Sequence, residues 1–221
     1  MRKFLQFLKF LNIKTVYFNF KYLPLKKACK FPILLSNKVY LRQISGRIHI
    51  NCQISFGLVQ IGYGNVGIFD KKMSRTIWEV NGKVIFNGKT TIGHGSKIVV
   101  GTYGQLSFGD NFKATAETSI IAFNKIIFGN NCLLSWDTLL MDTDFHTVKN
   151  ENNEVINSTK PILIGDHVWI GCRSIILKGA VIHNNTIIAI NSMVNKELNE
   201  ENCIYGGSPV KVIKKNISWE E

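Results

Sequence analysis

The first 69 residues of this 221-residue chain contain no aspartate or glutamate. They carry eleven Lys and Arg residues, whereas the residues from Asp70 onward carry sixteen basic and fifteen acidic side chains. Nearly all of the net charge of +12 therefore belongs to the N-terminal third. Such a segment is attracted to anionic surfaces, so we expect an anionic glycan or membrane surface, and no nucleic acid, among its partners.

Proline and cysteine are also scarce. Four prolines stand against eighteen glycines, a balance that favours many tight corners over a disordered linker. The five cysteines are widely spaced and form no C-x-x-C motif. A scattered, odd-numbered set of this kind predicts a reduced, cytosolic chain without a disulfide framework or a zinc knuckle.

The chain begins with an apolar segment that basic residues interrupt. The first fourteen residues, MRKFLQFLKFLNIK, have apolar side chains near helical spacing and predict a short amphipathic basic helix. This segment is too short and too charged to span a bilayer, and Lys9 and the lack of an A-x-A site argue against a signal peptide. The segment could cap the protein core, or it could contact the inner face of the membrane from the cytoplasm. The two roles do not exclude each other.

A six-residue repeat runs through the C-terminal half. From Ile164 onward every sixth residue is a β-branched aliphatic, and from Ile170 onward the residue two places earlier is small or β-branched. The two sets are Ile164, Ile170, Ile176, Ile182, Ile188 and Val194, and Val168, Ser174, Ala180, Thr186 and Ser192. Side chains two apart in a strand share a face, so both sets are expected to point inward, with three sides of six residues in each coil.

The same period recurs upstream with slips, and it predicts an all-β fold, a parallel β-helix of stacked coils. Hexapeptide sequences of this kind resemble the left-handed form, an exception to the right-handed crossover rule. An accidental spacing in a β-sandwich is the alternative. We expect a basic N-terminal segment over 1–50, the β-helix over 51–215 with a polar loop extruded at 147–160, and a tail over 216–221. The upstream positions are Ile92, Ile98, Phe108, Ala114, Ile120, Ile126, Phe128, Leu134 and Leu140.

Two stretches resemble a known family. The sequences ILIGDHVWIGCRSIILKGAVI (162–182) and YGGSPVKVIKK (205–215) are similar to those of the hexapeptide-repeat acyltransferases, in particular the O-acetyltransferases of bacterial surface polysaccharides and the maltose and galactoside O-acetyltransferases. The resemblance covers roughly residues 85–215. It implies acetyl-CoA as the acyl donor, a hydroxyl acceptor on a sugar or polysaccharide precursor, and a homotrimer with active sites between subunits.

The resemblance also implies roles for individual residues. His146 matches the catalytic histidine, Trp169 matches the tryptophan that lines the acyl-CoA cleft, and Lys211 and Lys214 match basic residues that reach the nucleotide phosphates. The sequence AINS (189–192) replaces the usual GAGS along the pantetheine arm. The predicted donor-binding residues are Trp169, Gly171, Cys172, Ile190, Asn195, Lys196, Lys211 and Lys214.

Acetyl transfer from a thioester to a hydroxyl needs a base, oxyanion donors and aligned substrates. His146 is the candidate base. In an extended strand Asp142 and Asp144 would share its face, and one of them could orient the imidazole, directly or across the trimer interface. The spacing alone does not choose between them, and we favour Asp144. A solvated loop is the alternative for both. We expect His94, His167 and His183 at outward corner positions.

Other functions remain open from the sequence. N-acetylation of an amino sugar or another small acceptor uses the same donor. A covalent acyl-enzyme on Cys172 is a different mechanism. On the same fold, a zinc enzyme similar to the γ-class carbonic anhydrases would need His146, His167 and His183 to converge, and we expect no metal. A non-catalytic β-helix scaffold is the third class.

Overall fold

The computed structural model describes residues 12–220, which form two helices and 23 strands. The helices are α1 (Ile13–Tyr22) and α2 (Leu25–Ala28). The strands are β1 (Ile33–Leu35), β2 (Val39–Gln43), β3 (Arg47–Ile50), β4 (Val59–Tyr63), β5 (Thr76–Val80), β6 (Lys83–Phe86), β7 (Thr90–His94), β8 (Lys97–Val100), β9 (Gln105–Phe108), β10 (Phe112–Ala116), β11 (Ser119–Ala122), β12 (Lys125–Phe128), β13 (Leu133–Leu134), β14 (Leu139–Met141), β15 (Ile162–Ile164), β16 (Trp169–Ile170), β17 (Ile175–Leu177), β18 (Val181–Ile182), β19 (Ile187–Ile188), β20 (Met193–Val194), β21 (Glu197–Leu198), β22 (Cys203–Gly206) and β23 (Lys211–Lys215).

The strands form three sheets, and every third strand enters the same sheet. Sheet 1 has the order β1-β4-β7-β10-β13-β16-β19-β22-β23, sheet 2 the order β2-β5-β8-β11-β14-β17-β20, and sheet 3 the order β21-β18-β15-β12-β9-β6-β3. The pairings along each sheet are parallel, except that β23 turns back antiparallel to β22. The chain thus winds as a triangular prism, and the predicted left-handed parallel β-helix is confirmed.

The repeat sets the register of the C-terminal coils. Ile170 pairs with Ile188, and Ile176 with Val194, so one coil takes eighteen residues. All eleven residues predicted to point inward are buried, with at most 4% of any side chain exposed. The core is therefore a stack of aliphatic rows between small or hydroxyl-bearing residues, as the period indicated.

The upstream coils are longer, which is why the period slips there. Phe86, Phe108 and Phe128 lie in successive strands of sheet 3 and stack face to face, with centroids 5.5 and 5.7 Å apart. Phe112 packs at an angle against the last two. The larger rings fill a wider core, and all the upstream positions singled out by the repeat are buried.

Asparagines turn the chain at the corner between sheets 3 and 1, which we call the 3–1 corner. Asn111, Asn131 and Asn185 lie there with φ of 54°, 55° and 53°. Asparagine tolerates this left-handed conformation better than most residues with a side chain. The amide of Asn111 also donates to Asn131 Oδ1 at 3.1 Å, so successive corners support each other.

The stacked strands begin earlier than the sequence indicated. Strands β1 to β3 precede residue 51, where we placed the start of the β-helix, and they belong to the same three sheets. These first coils lack the regular period because a long corner separates β4 from β5. The amphipathic helix predicted over the first fourteen residues falls almost wholly outside the described residues.

Helix α1 closes the N-terminal end of the prism. Its Phe18 is fully buried and meets Trp78 edge-on, with centroids 5.5 Å apart. Asn19 donates to the carbonyl of Ile33 at 2.6 Å, which satisfies a backbone group at the edge of β1. Within residues 12–220 no helix is long and apolar enough to cross a membrane.

His94 is not at an outward position, contrary to the expectation from its corner sequence. Only 1% of it is exposed, because the corner segment after β4 folds over it and places Phe69 against its ring. His94 Nδ1 lies 2.9 Å from Ser74 Oγ, and Ser74 in turn bonds Glu117. His167 and His183 are partly exposed at the 3–1 corner.

Candidate active site

His146 lies on the long segment that connects β14 to β15 at the corner between sheets 2 and 3, here the 2–3 corner. The strand ends at Met141, so Asp142, Asp144 and His146 do not share a strand face as predicted. Phe145 turns the chain with φ of 60°. The His146 side chain is exposed, and its ring forms no hydrogen bond with any of residues 12–220.

Asp142 is a structural anchor of this segment. It is fully buried, and its carboxylate accepts hydrogen bonds from the backbone N–H groups of Phe123 at 2.7 Å and Asn124 at 2.9 Å. Burial raises the pKa of the Asp142 carboxyl above its ordinary value, and these bonds oppose the rise. The Asp142 carboxylate therefore ties the start of the loop to the coil below.

Asp144 faces a lysine instead of the imidazole. Its Oδ2 accepts hydrogen bonds from Lys178 Nζ at 2.5 Å and from Asn157 Nδ2 at 2.9 Å. The hydrogen bond from Lys178 lowers the pKa of the Asp144 carboxyl, and Asn157 adds to the effect. Within one chain, Asp144 therefore positions the loop and does not contact the His146 ring.

Lys178 and Asn157 were not singled out from the sequence. Asn157 Nδ2 donates to the His146 carbonyl at 2.8 Å, and Lys178 Nζ donates to the Asn157 carbonyl at 2.7 Å. The coil register could have found Lys178, because Met141 pairs with Leu177 and the next residues begin the same corner. Asn157 carries no such signal, since it lies in the loop outside the repeat.

A cavity of about 250 Å³ opens beside this network. Asp144, Asn157, Lys160, Lys178 and Asn195 line it. Asn195, predicted from the family resemblance, thus lies at the same corner as the His146 loop, one coil further along. Lys196 follows it and is exposed.

A second group of predicted residues lies at the corner between sheets 1 and 2, the 1–2 corner. Gly171 and Cys172 follow β16, and Ile190 follows β19 directly above them. A Cβ on Gly171 would come within 2.7 Å of the backbone N of Ile190, so the close stacking of the two coils requires glycine there. Cys172 is 8% exposed and Ile190 62% exposed.

Trp169 lies on the outer face of sheet 1 and is partly covered. Its Nε1 donates to Ser135 Oγ at 3.0 Å. Trp219, which the sequence placed in a plain tail, packs beside it at 5.9 Å and stacks on His167 at 4.3 Å with an interplanar angle of 5°. Trp219 Nε1 also donates to the His167 carbonyl. The tail is therefore folded onto sheet 1.

The predicted phosphate-binding lysines lie at the C-terminal end of the prism. Lys211 and Lys214 are exposed on β23, and Lys211 pairs with Gly206 at the end of β22. Lys196 and Lys211 line one cavity of about 300 Å³. The structure brings these two lysines together although they come from different corners.

Apart from Trp169 and the lysines at the C-terminal end, the predicted site residues thus form two groups that one chain does not unite. His146, Asp144 and Asn195 lie at the 2–3 corner, whereas Gly171, Cys172 and Ile190 lie at the 1–2 corner. Sheet 2 lies between the two groups, with one group at each of its edges. His167 and His183 lie at the 3–1 corner, away from the His146 loop, and no cluster that could hold a metal ion exists among the residues described.

Comparisons with known proteins agree with the fold and the repeat. No protein-family model matches the chain. It is 28% identical over 208 residues to an uncharacterised 24.8 kDa protein in the cps region of Klebsiella pneumoniae, an alignment that covers 91% of this chain and 87% of that protein. It is 39% identical over 104 residues to the polysialic acid O-acetyltransferase of Neisseria meningitidis, covering 47% of this chain and 48% of the relative.

A solved structure supports the architecture over most of the chain. The polySia-specific acetyltransferase NeuO superposes with a TM-score of 0.58 at 17% identity, over 84% of this chain and 90% of that one, and this likeness concerns the fold. The chain spans about half the length of the Neisseria relative. The chain is thus similar in sequence to O-acetyltransferases such as that of Neisseria meningitidis, and it shares the parallel β-helix fold of NeuO.

Proposed function

We propose that the chain transfers an acetyl group from acetyl-CoA to a hydroxyl of a sugar or polysaccharide, with His146 as the general base. The observation that carries the proposal is the state of His146: Asn157 and Asp144 hold its backbone, while its ring is exposed and has no hydrogen-bond partner among residues 12–220. A fixed backbone with an unengaged imidazole suits a group that must accept a proton from a substrate. The similarity to polysialic acid and galactoside O-acetyltransferases supports the reaction type.

The chemistry needs one proton acceptor and an aligned hydroxyl. Bound acetyl-CoA would supply the acetyl group as a thioester. A ring nitrogen of His146 accepts the proton as the acceptor oxygen attacks, and the imidazolium then returns it to the departing sulfur. An imidazole can accept the proton in the first step and, as the imidazolium, donate it in the second.

The described residues fit an anionic donor. Lys196, Lys211 and Lys214 are exposed and form no salt bridge with any carboxylate of residues 12–220, whereas Lys215 pairs with Glu200 at 2.5 Å. Free ammonium groups near a cavity can bind phosphate oxygens through charge-assisted hydrogen bonds. We propose that these three lysines bind the nucleotide end of acetyl-CoA and that Trp169, Gly171, Cys172, Ile190 and Asn195 line the rest of its path.

We further propose a homotrimer in which sheet 2 faces the threefold axis. The outward side chains of sheet 2 are mostly apolar and partly exposed in one chain, whereas those of sheet 3 include lysines and an arginine beside a few apolar side chains. Such a surface is typical of an interface. Packing sheet 2 around an axis sets the 2–3 corner of one subunit beside the 1–2 corner of its neighbour, which would unite the two groups of site residues. The apolar positions are Ile77, Val99, Ile121, Leu139, Met141, Ile175, Leu177 and Met193.

Matched lysine substitutions test the interface. Ile121 and Ile127 are both outward and half-buried in neighbouring strands, but they lie on sheets 2 and 3. Ile121→Lys should convert the trimer to monomers in light scattering and abolish turnover, while Ile127→Lys should leave the mass unchanged. Monomers with full activity would contradict a site shared between subunits.

Helix α1 supports peripheral contact with an anionic membrane surface. Ile13, Val16, Tyr17 and Phe20 follow i, i+3, i+4, i+7 spacing, and between 39% and 88% of each is exposed. Five lysines accompany this stripe without a carboxylate, a pattern typical of interfacial helices. The lysines are Lys14, Lys21, Lys26, Lys27 and Lys30.

Substitutions on this stripe test membrane contact without removing the core cap. Tyr17→Glu with Phe20→Glu should reduce sedimentation with phosphatidylglycerol-containing vesicles, while the buried Phe18 keeps the helix docked. Neutral phosphatidylcholine vesicles serve as the control. If the double variant binds these vesicles as well as the original chain does, the proposed membrane contact is wrong.

The main reaction is tested by acetyl transfer to a panel of glycans. We expect saturable acetyl-CoA binding by calorimetry, in the roughly 1 μM–1 mM range usual for enzyme substrates, and an acetylated glycan by mass spectrometry. Mild alkali removes an O-acetyl ester and spares an N-acetyl amide, so it separates the two acceptor classes. If the protein binds acetyl-CoA but acetylates no acceptor, and His146→Ala leaves that binding unchanged, a non-catalytic scaffold is favoured. An acetyl adduct on Cys172 would instead indicate a covalent acyl-enzyme.

A further inference from the structure

A cavity of about 590 Å³ lies at the 2–3 corner of the first coils, on the N-terminal side of the His146 loop. Arg47, His49, Lys83, Tyr103 and Gln105 are among its lining residues, and none of the lining residues is acidic. Neither the donor path nor the proposed catalytic group uses this cavity.

Glycines, which carry no side chain, form the base of the cavity at this corner. A Cβ on Gly46 would come within 2.3 Å of the Gly82 carbonyl oxygen, and one on Gly82 within 2.3 Å of the carbonyl oxygens of Gly101 and Gly104. The coils stack too closely there for any larger residue. The missing side chains leave a recess between the basic residues on sheet 3 and the aromatic ring of Tyr103.

A polar and basic column leads from the cavity toward the loop. Arg47, Lys83, Gln105 and Lys125 are the first residues of four successive strands of sheet 3, and each pairs in register with the next. Neighbouring strands lie about 4.8 Å apart, so the column extends about 14 Å. It runs parallel to the axis of the β-helix along the edge that bears the 2–3 corner.

The upper end of the column meets the segment that carries His146. Asn124, immediately before Lys125, donates its backbone N–H to Asp142 and its side-chain amide to Thr159 Oγ1 at 3.4 Å. The ring of Phe123 meets Phe145 edge-on at 5.0 Å, and Phe145 directly precedes His146. The cavity and the candidate base therefore lie on one continuous edge.

The charge of the column is unbalanced. Arg47, Lys83 and Lys125 are exposed and form no salt bridge with the residues that the structure describes. Like charges at paired positions of neighbouring strands repel each other, so Arg47 opposite Lys83 is unfavourable in the free protein. An anionic ligand removes that repulsion. Tyr103, 95% exposed, adds an aromatic face of the kind on which a sugar ring can pack.

We infer that this edge is the acceptor track, and that the acceptor is a glycan with repeated negative charges, carboxylate or phosphate. The inference rests on the proposed function, because it takes His146 as the point where the acceptor hydroxyl is acetylated. Arg47, Lys83 and Lys125 bind the anionic groups, Tyr103 contacts a sugar ring, and the track directs the glycan past Phe123 to the loop. Selectivity for charged over neutral glycans follows from these contacts.

Binding without acetyl-CoA tests the track separately from catalysis. The probes are fluorescent oligogalacturonate, a phosphorylated maltooligosaccharide and a neutral maltooligosaccharide of the same length. Each charge-assisted contact is worth roughly 1.5–3 kcal/mol, which is about tenfold or more in affinity. We expect Arg47→Gln with Lys83→Gln to weaken binding of at least one charged probe by at least tenfold, and Tyr103→Ala to weaken it several-fold. The preferred charged probe distinguishes carboxylate from phosphate recognition.

A matched double variant removes two positive charges elsewhere. Lys72→Gln with Lys89→Gln changes exposed lysines outside the cavity and should leave binding unchanged. Equal binding of neutral and charged probes, or equal loss in both double variants, overturns the track. Acetyl transfer to a neutral sugar that is insensitive to Arg47→Gln and Lys83→Gln overturns it while leaving the proposed function intact. Charged-probe binding without any transfer overturns the function instead.

Discussion

The ammonium group of Lys178 lies 2.5 Å from the carboxylate of Asp144, although 34 residues separate them in sequence. Lys178 also donates to the carbonyl of Asn157, so a single side chain joins both arms of the loop to the next coil. The loop that presents His146 is thereby tied to the rigid prism. A group held this way keeps its position while its ring remains free to meet a substrate.

Lys178→Met should loosen this loop without unfolding the protein. A solvent-screened surface ion pair adds little to the free energy of unfolding, so the melting temperature should change little. We expect faster hydrogen exchange over residues 143–158 and a lower kcat/KM. Lys38→Met is the control, because Lys38 also donates to a loop carbonyl, that of Lys72, far from this site. Identical exchange in both variants would contradict the tether.

His146→Ala should reduce kcat by roughly 10²–10⁴-fold, the usual contribution of a general base. Stability should not change, because the ring is exposed and has no hydrogen-bond partner among residues 12–220. Steady-state rates and thermal melting measure the two effects. His183→Gln, which removes a partly exposed histidine paired with Glu197, should retain activity. A His146→Ala enzyme with normal kcat would exclude this residue as the base.

Asp142→Ala should destabilise the protein by about 1–3 kcal/mol, the cost of leaving buried donors unsatisfied. The donors are the backbone N–H groups of Phe123 and Asn124. Asp142→Asn retains one acceptor oxygen and should cost less. Urea unfolding measures the free energy of unfolding of each variant. Full stability combined with a lost kcat would instead assign Asp142 to catalysis.

Stability should fall in mild acid through His94. Burial lowers the pKa of His94, the Glu117 charge opposes the shift and Lys71 adds to it. The unfolded chain binds a proton near pH 6.5 while the folded chain does not, so the contribution is full above that pH and is lost as the pH falls toward the lowered value.

The His94 prediction is measured by urea unfolding between pH 5 and pH 8. His94→Gln, which keeps a polar side chain beside Ser74 but cannot titrate, should show a shallower decline below pH 6.5 than the original chain. Parallel pH profiles for the two proteins would show that His94 does not cause the decline.

The repeat by itself determined the coil. Alternation along a strand is a local property, so positions such as Ile176 and Ser174 could be assigned inward from their spacing alone, and both are buried. The start of the β-helix could not be assigned, because the first coils depart from the period. His94 was misplaced at the surface for a related reason: its cover, Phe69, comes from a corner segment whose path no repeat describes.

Part of the candidate site could likewise be predicted from the sequence, and part was decided by the tertiary structure. His146 could be proposed from sequence because the family motif is local. The partners of Asp142 and Asp144 were decided by tertiary structure, since Asn124 and Lys178 meet the loop only after coils of different lengths have stacked, and Asn157 meets Asp144 only when the loop folds back on itself. The basic column on sheet 3 likewise exists only in register, because its residues lie 20 to 36 positions apart in sequence and strand pairing sets them about 4.8 Å apart.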